Sequence, residues 1–289
     1  MLVAPLLLMV IIGYSIYQLV IQAFDLSWIA VLLTALPLMV FLMEVMVFQS
    51  KPRTHEFLPK HTLVVAIGLV MILVLSLFPS IQKNIELNTL SLMLAELSVA
   101  IYIAYIFWYS ALKRGTNITL ALGKQIPSFI VYDNGTKIKS ESYLGNPLVI
   151  IFYRGNWCLF CIAQIKELVA TYQQLALEGV KFILISPQPD KNTQAIATQF
   201  DVPFSFLSDP KNKTATQLGI NHDKGLPAGM SILGYSADTV YPTVIVTNSS
   251  GEIIYLNETD SFRDRPDPME YLNQITNDKI VEEPVRLQA

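Results

Sequence analysis

The chain has 289 residues, of which 52% are hydrophobic and only 15% charged, with 20 Lys/Arg against 23 Asp/Glu, two cysteines and three histidines. This balance excludes a basic nucleic-acid surface, and so few cysteines and histidines build neither a disulfide scaffold nor a metal cluster. The charge is unevenly spread: residues 1–114 hold six Lys/Arg and five Asp/Glu, and residues 115–289 hold fourteen and eighteen. A greasy half precedes an ordinary, mildly acidic one.

In chain order, four apolar runs come first, at residues 2–21, 27–48, 62–79 and 89–111. Each has about the 17–25 residues that a helix needs to cross hydrocarbon. The first run is long and lacks a basic start or a small-residue cleavage pattern, so a cleaved signal peptide is not expected. Lys51, Arg53 and Lys60 lie in the second connection, and Lys113 and Arg114 follow the fourth run; only Lys83 lies in the third connection. The positive-inside rule then puts the second connection and the C-terminal half on the cytoplasmic side of a plasma or inner membrane. Glu44 sits near a run's end, where its side chain reaches the interface. Glu96 lies deeper and is expected to meet a neighbouring helix, bonding a Tyr or Ser hydroxyl or serving a proton or quinone site. The expected domains are a four-helix membrane anchor over 1–114, a redox domain over 115–280 and a loose tail over 281–289.

Residues 115–123 read as a linker. A strand at 129–132 ends on the turn signal Asp133-Asn134-Gly135. Residues 148–153 form a continuous apolar strand. From Cys158 to about Glu178, Ile162, Ile165, Leu168, Val169, Tyr172 and Leu175 make the stripe of an amphipathic helix, which Gly179 stops. A strand follows at 181–186, then a helix capped by Asp190, a strand at 204–207 and a short helix at 214–218. A hairpin is expected at 243–247 and 252–256, and a last helix near 267–277 after Arg263-Asp264-Arg265-Pro266. Strands alternating with helices, then a hairpin and a helix, predict an α/β domain with a mixed central sheet and helices on both faces.

Cys158 and Cys161 are the only cysteines, and they fall where the apolar strand gives way to the helix. Unpaired N–H groups and the helix dipole lower a thiol pKa there. One helical turn separates the two sulfurs, within reach of a disulfide. The expected division of labour makes Cys158 the nucleophile and Cys161 the resolving thiol. Arg154 would add positive charge, and Trp157 would rim the site.

Tyr241-Pro242-Thr243 precedes a strand. Together with the C-x-x-C helix start, it resembles the thioredoxin fold. The resemblance implies that Pro242 is in cis against the cysteines, with Tyr241 pairing with an extended substrate and Thr243 completing the site wall. Over residues 121–278 the chain most resembles the peroxiredoxin-like alkyl hydroperoxide reductase/thiol-specific antioxidant family. The motifs are Gly123 to Phe129, Phe152-Tyr153-Arg154-Gly155-Asn156-Trp157-Cys158, Ile185-Ser186-Pro187, Phe206 to Pro210 and Gly251 to Tyr255. That family carries Pro-x-x-x-Thr-x-x-Cys. With Cys158 as the attacking residue, the threonine position is Gly155 and the proline position is Ile151, and Leu159 stands where a related subgroup has proline. These departures shift the expectation from an efficient peroxidase toward dithiol–disulfide exchange with antioxidant character.

The reading is a membrane-tethered thiol–disulfide oxidoreductase acting on protein or small-molecule thiols and disulfides or on hydroperoxides, with the lipid bilayer as a partner and no cofactor. Two alternatives are a redox-sensing or partner-binding module switched by a Cys158–Cys161 disulfide, and a thiol-dependent peroxidase proper. A third makes the helical half, with Glu96, the working unit. Asn117, Asn134, Asn212, Asn248 and Asn257 each open a glycosylation acceptor pattern, which points to the opposite side of the membrane from the basic flanks.

Overall fold

The computed structural model describes residues 3–21, 25–47, 58–77, 89–175, 179–227 and 229–282. Of the expected tail at 281–289, Val281 and Glu282 end a helix, and residues 283–289 lie outside the described residues. The chain forms two compact units that divide between Ala111 and Leu112.

The first unit contains α1 (Val3–Ile21), α2 (Leu26–Met46), α3 (Pro59–Leu77) and α4 (Thr89–Ile103), the last running on into a π-helical turn at Ala104–Tyr109. Four of its helical segments are long and apolar enough to cross a bilayer: Ala4–Ile21, Leu26–Met46, Pro59–Leu77 and Thr89–Tyr109. Their outward faces are as apolar as their inward ones, as Val10, Val20, Leu63 and Leu77 show by their exposure. A helix apolar all round needs a non-aqueous surround. Asp25 caps α2 by accepting the Ser27 N–H at 2.8 Å.

α2 is the central helix and packs against the other three. It approaches α3 closely at Gly68, where a Cβ would sit 2.9 Å from both Leu33 Cβ and Thr34 Cγ2 and 3.1 Å from the Ala30 carbonyl. Small residues permit this kind of backbone approach between membrane helices. Glu44 has a specific partner, His61 Nε2 at 3.5 Å. Glu96 departs from expectation: it lies on an exposed face of α4 and bonds to no neighbouring hydroxyl. The interhelical hydroxyl pair is instead Thr62 with Tyr102, at 2.9 Å, because Tyr102 is on the buried face and Glu96 is not.

The second unit is built on a seven-stranded mixed sheet of order β2-β1-β5-β4-β3-β8-β9. Its strands are β1 (Ile130–Asp133), β2 (Thr136–Lys139), β3 (Leu148–Phe152), β4 (Lys181–Ser186), β5 (Ser205–Ser208), β8 (Thr243–Thr247) and β9 (Ile253–Glu258). A separate two-stranded ribbon pairs β6 (Asn221–His222) with β7 (Thr239–Val240). The helices are α5 (Leu159–Leu175), α6 (Asp190–Ala197), α7 (Lys213–Gln217) and α8 (Pro268–Glu282).

β3 runs parallel to β4 and antiparallel to β8, and all five of its residues are buried. Burial on both faces explains its unbroken apolar sequence. Leu148, Ile150 and Phe152 join Ile183, Leu207, Ile245, Leu218 and Ile220 in one core layer. The opposite face carries Val149, Phe182 and Leu184; on that side Tyr172 of α5 meets the Phe182 ring edge-on at 5.3 Å. β2 was not evident from the sequence, since it is a polar edge strand. The turn that creates it was: Asn134 and Gly135 both take positive φ (47° and 80°), as a two-residue hairpin loop requires.

Two boundary expectations change. Residues 112–114 belong to the second unit, where the Leu112 N–H bonds to the Asp260 carbonyl and Arg114 pairs with Glu258. Residues 115–123 are no free linker: Leu120 is buried in the core, and Asn117 donates to both the Leu218 carbonyl and Glu258. Asp190 opens α6 without capping it; its carboxylate accepts from the Ser208 hydroxyl instead.

Gly68→Val is expected to destabilise the first unit by about 1–3 kcal/mol through overpacking against α2. Gly13→Val, whose Cβ would meet nothing within 4 Å, is the control. Thermal unfolding of the full chain in detergent compares them, and equal melting of the two variants would refute the close-approach argument.

Candidate active site

The β3 ladder ends with the Tyr153 N–H bonded to the Ile185 carbonyl. The chain then turns through Arg154–Trp157 into α5. Gly155 makes the turn possible: its φ is 145°, and a Cβ there would lie 2.7 Å from Trp157 Nε1 and 3.2 Å from Gln188 Oε1. Gln188 braces the loop from beneath, accepting the Asn156 N–H at 2.8 Å and donating to the Tyr153 hydroxyl at 3.1 Å and to Thr193. Cys158 stands immediately before α5, and its carbonyl accepts the N–H groups of Cys161 and Ile162 at 3.0 and 3.1 Å.

Both cysteines are reduced and buried, Cys158 at 4% exposure and Cys161 fully. Their environments differ. Nη2 of Arg265, itself 2% exposed, donates to Cys161 Sγ at 3.7 Å. Burial opposes a Cys161 thiolate, but the Cys158 thiol donating to it, the Arg265 charge and a backbone bond from Arg154 outweigh that cost and hold its pKa well below the ordinary thiol value. Burial, followed by its donor role toward Cys161, pushes Cys158 well up. These environments favour negative charge on Cys161 and the proton on Cys158.

Arg154 is also buried. Its guanidinium lies 4.9 Å from the Trp157 ring centroid and 5.7 Å from that of Phe262, and Nη2 donates to the Gly225 carbonyl at 2.5 Å. The structure thus brings Cys158, Cys161, Arg154 and Trp157 together, as expected. It adds Arg265, Phe262 and Gln188, which the sequence reading missed. The run Arg263-Asp264-Arg265-Pro266 was visible only as a helix start, with nothing local to tie it to a cysteine 104 residues away.

Tyr241, Pro242 and Thr243 form a different cluster. Tyr241 stacks on His222 at 4.4 Å, with Arg114 over its ring at 5.2 Å. Arg114 also donates to the Pro242 carbonyl and to Thr243 Oγ1. The expected cis bond at Pro242 is absent, since no described peptide is cis. Nor is Tyr241 free to pair with a substrate: its N–H is bonded to the Ile220 carbonyl and its carbonyl accepts the Thr243 hydroxyl. These internal bonds engage the Tyr241 backbone groups that were expected to pair with a substrate. Burial, then the Arg154 charge, brings the His222 pKa down to about 4, so its imidazole is neutral at physiological pH.

A buried dithiol at a strand-to-helix junction, with an arginine on one sulfur, defines a thiol-dependent oxidoreductase. Residues 122–256 match the model of the AhpC/TSA family, and the second unit is similar to peroxiredoxins. A putative peroxiredoxin (bcp) of Haemophilus influenzae is 25% identical over 146 residues, half of this chain and 90% of that protein. A chloroplastic peroxiredoxin Q of Populus jackii is 28% identical over 115 residues, 39% of this chain and about half (54%) of that protein. Among solved structures, Enterococcus faecalis AhpC aligns at 16% identity over 58% of this chain and 98% of its own, with a TM-score of 0.44. Peroxidoxin BcpB of Mycobacterium tuberculosis aligns at 19% over 57% and 99%, also with a TM-score of 0.44.

A depressed Cys161 pKa means that the thiolate is already formed at neutral pH and is lost only as pH falls into the acid range. Arg265→Met removes a charged hydrogen bond worth about 1.5–3 kcal/mol, so the Cys161 titration should move up by roughly 1–2 pH units. Thiolate ultraviolet absorbance reads this without a reagent having to reach the sulfur. An unmoved titration would rule out Arg265 as the stabiliser.

Proposed function

We propose that the second unit is a thiol peroxidase-like oxidoreductase in which Cys161 attacks and Cys158 resolves, the reverse of the roles expected from sequence. The observation that carries this reading is the Arg265 guanidinium on Cys161 Sγ, 3.7 Å away. The attacking group in thiol chemistry is the thiolate. The Cys161 thiolate displaces alkoxide from the terminal oxygen of a hydroperoxide, breaking the O–O bond; the alkoxide takes a proton and leaves as the alcohol. Two electrons pass from sulfur to oxygen, leaving a sulfenic acid at Cys161. The Cys158 sulfur then attacks that sulfur, a disulfide forms and water departs. An external dithiol returns both cysteines to the reduced state.

Taking Cys161 as the attacking residue also changes the family comparison. In Pro-x-x-x-Thr-x-x-Cys counted back from Cys161, the threonine position is Cys158 and the proline position is Arg154. A thiol donor then stands where the family has a hydroxyl donor. The expectation of weak peroxidase character rested on counting from Cys158, and it lapses with that count.

Burial supports a small oxidant over a protein disulfide. With Cys158 4% exposed and Cys161 fully buried, a hydroperoxide oxygen reaches the sulfurs far more readily than a polypeptide disulfide does. The occupied backbone at Tyr241 supports the same choice.

The four apolar helices support membrane tethering, and the basic flanks support a cytoplasmic redox unit. Three of the five acceptor asparagines fit that side: Asn212 and Asn248 are buried, and Asn212, Asn117 and Asn248 are each committed to internal hydrogen bonds. In a reducing compartment the resting state is the dithiol.

The full chain, given a dithiol donor, should consume hydroperoxide catalytically. Cys161→Ser should abolish the reaction. Cys158→Ser should complete one turnover and stop as a sulfenic acid that dimedone captures. The opposite pattern would return the nucleophile to Cys158. Stoichiometric oxidation without cycling in the parent protein would favour a redox sensor.

A further inference from the structure

The ribbon strands β6 and β7 are joined by a long excursion that contains no charged residue from Gly225 to Ala237. It is rooted on the active-site loop at two points. Arg154 Nη2 donates to the Gly225 carbonyl, and the Tyr235 hydroxyl donates to Asn156 Oδ1, both at 2.5 Å. Between these roots, Gly229 and Gly234, at φ 89° and 84°, turn the chain outward into a single 3-10 turn, Met230–Leu233. Ile232 is 87% exposed there, and its neighbour Leu233 is 67% exposed.

Single exposed aliphatic residues are ordinary on a protein surface. Two adjacent ones at the summit of a glycine-bracketed turn, in an uncharged segment, present an apolar tip. A protein partner recognised by charge would find nothing to pair with. A lipid surface fits the chemistry: aliphatic side chains at the summit, serine hydroxyls at Ser231 and Ser236, and an amphipathic Tyr235 at the root. The same chain carries four candidate membrane spans, so a bilayer is present at high effective concentration whenever the protein is inserted.

We propose that the Met230–Leu233 turn is a lipid-contact element that inserts Ile232 and Leu233 into the interfacial layer of the bilayer. Because both roots of the excursion lie on Arg154 and Asn156, this contact holds the residues flanking Trp157 at the lipid surface. The contact does not depend on which cysteine attacks, or on the oxidant.

The test uses the full chain in phosphatidylcholine nanodiscs, with Ile232→Trp as a reporter and the emission of the parent protein subtracted. Lys137→Trp, on the exposed face of the edge strand β2, is the control. Bromine on the acyl chains should remove most of the added Ile232→Trp emission and spare that of Lys137→Trp, while aqueous acrylamide should do the reverse. Equal bromine quenching at the two positions, or quenching at 232 by acrylamide alone, would overturn the proposal. So would an Ile232→Trp signal that follows protein concentration instead of bromine content, which would assign the tip to a second copy of the chain.

Discussion

The site of the second unit depends on the Arg265 guanidinium, which lies 3.7 Å from Cys161 Sγ and favours a thiolate there against the cost of burial. Isolated burial of either charge would cost far more than a small domain's stability can offset. Arg265 and Cys161 are mutually compensating, and Nη1 of Arg265 donates to the carbonyls of Asp264 and Ser261. Everything around the pair serves to bring two distant stretches of chain to one point. β3 delivers the cysteines at its C-terminal end, and the connection from β9 to α8 delivers the arginine. Phe160 and Phe262 close the junction between them, their rings 5.6 Å apart. The sheet is thus the ruler that sets a contact between residues with no local reason to meet.

The second cysteine gains its meaning from that contact. Two equivalent thiols at i and i+3 would share a proton evenly. An arginine on one of them breaks the symmetry and favours charge on that sulfur and the proton on the other. The helix start favours an anion on the first turn as a whole, and it does not by itself choose between Cys158 and Cys161. The choice comes from a side chain outside the motif. For the same reason, C-x-x-C alone points to Cys158, and the proposal of Cys161 rests on Arg265.

How much of this was legible in the sequence follows from where each interaction sits along the chain. β3, β4 and β8 were readable residue for residue or nearly so, because burial on both faces leaves an unbroken apolar run. α5 was readable from its stripe, and the four spans from length and hydropathy. β2 and the β6–β7 ribbon were not, since a polar edge strand and two-residue strands carry no periodicity to detect. Of the site, the local parts were legible: Cys158, Cys161, Trp157 and Arg154 lie within eight residues of one another. Arg265 and Gln188 were not, because they reach the site through tertiary packing. The Pro242 expectation rested on resemblance, and it failed where the chain's own hydrogen bonds fill the backbone at Tyr241.

Arg154 shows how the two arginines divide the site. Arg265 touches sulfur, whereas Arg154 is stacked between Trp157 and Phe262 and spends its outward proton on the Gly225 carbonyl. Its charge acts on the site from a fixed distance, lowering the His222 pKa and disfavouring a second cation nearby. A site with two buried guanidinium groups and one thiolate carries a net positive charge. That charge favours the oxyanion that develops as an O–O bond breaks. It opposes any cationic substrate, whereas burial and donation to the Cys161 sulfur, not the two arginines, push the Cys158 thiol up. Once the thiolate has been consumed, the same positive field acts on Cys158 and lowers the cost of its ionisation. The proposed order of the two sulfur reactions agrees with these electrostatics: in it, Cys158 serves first as donor and turns nucleophile only after Cys161 has reacted.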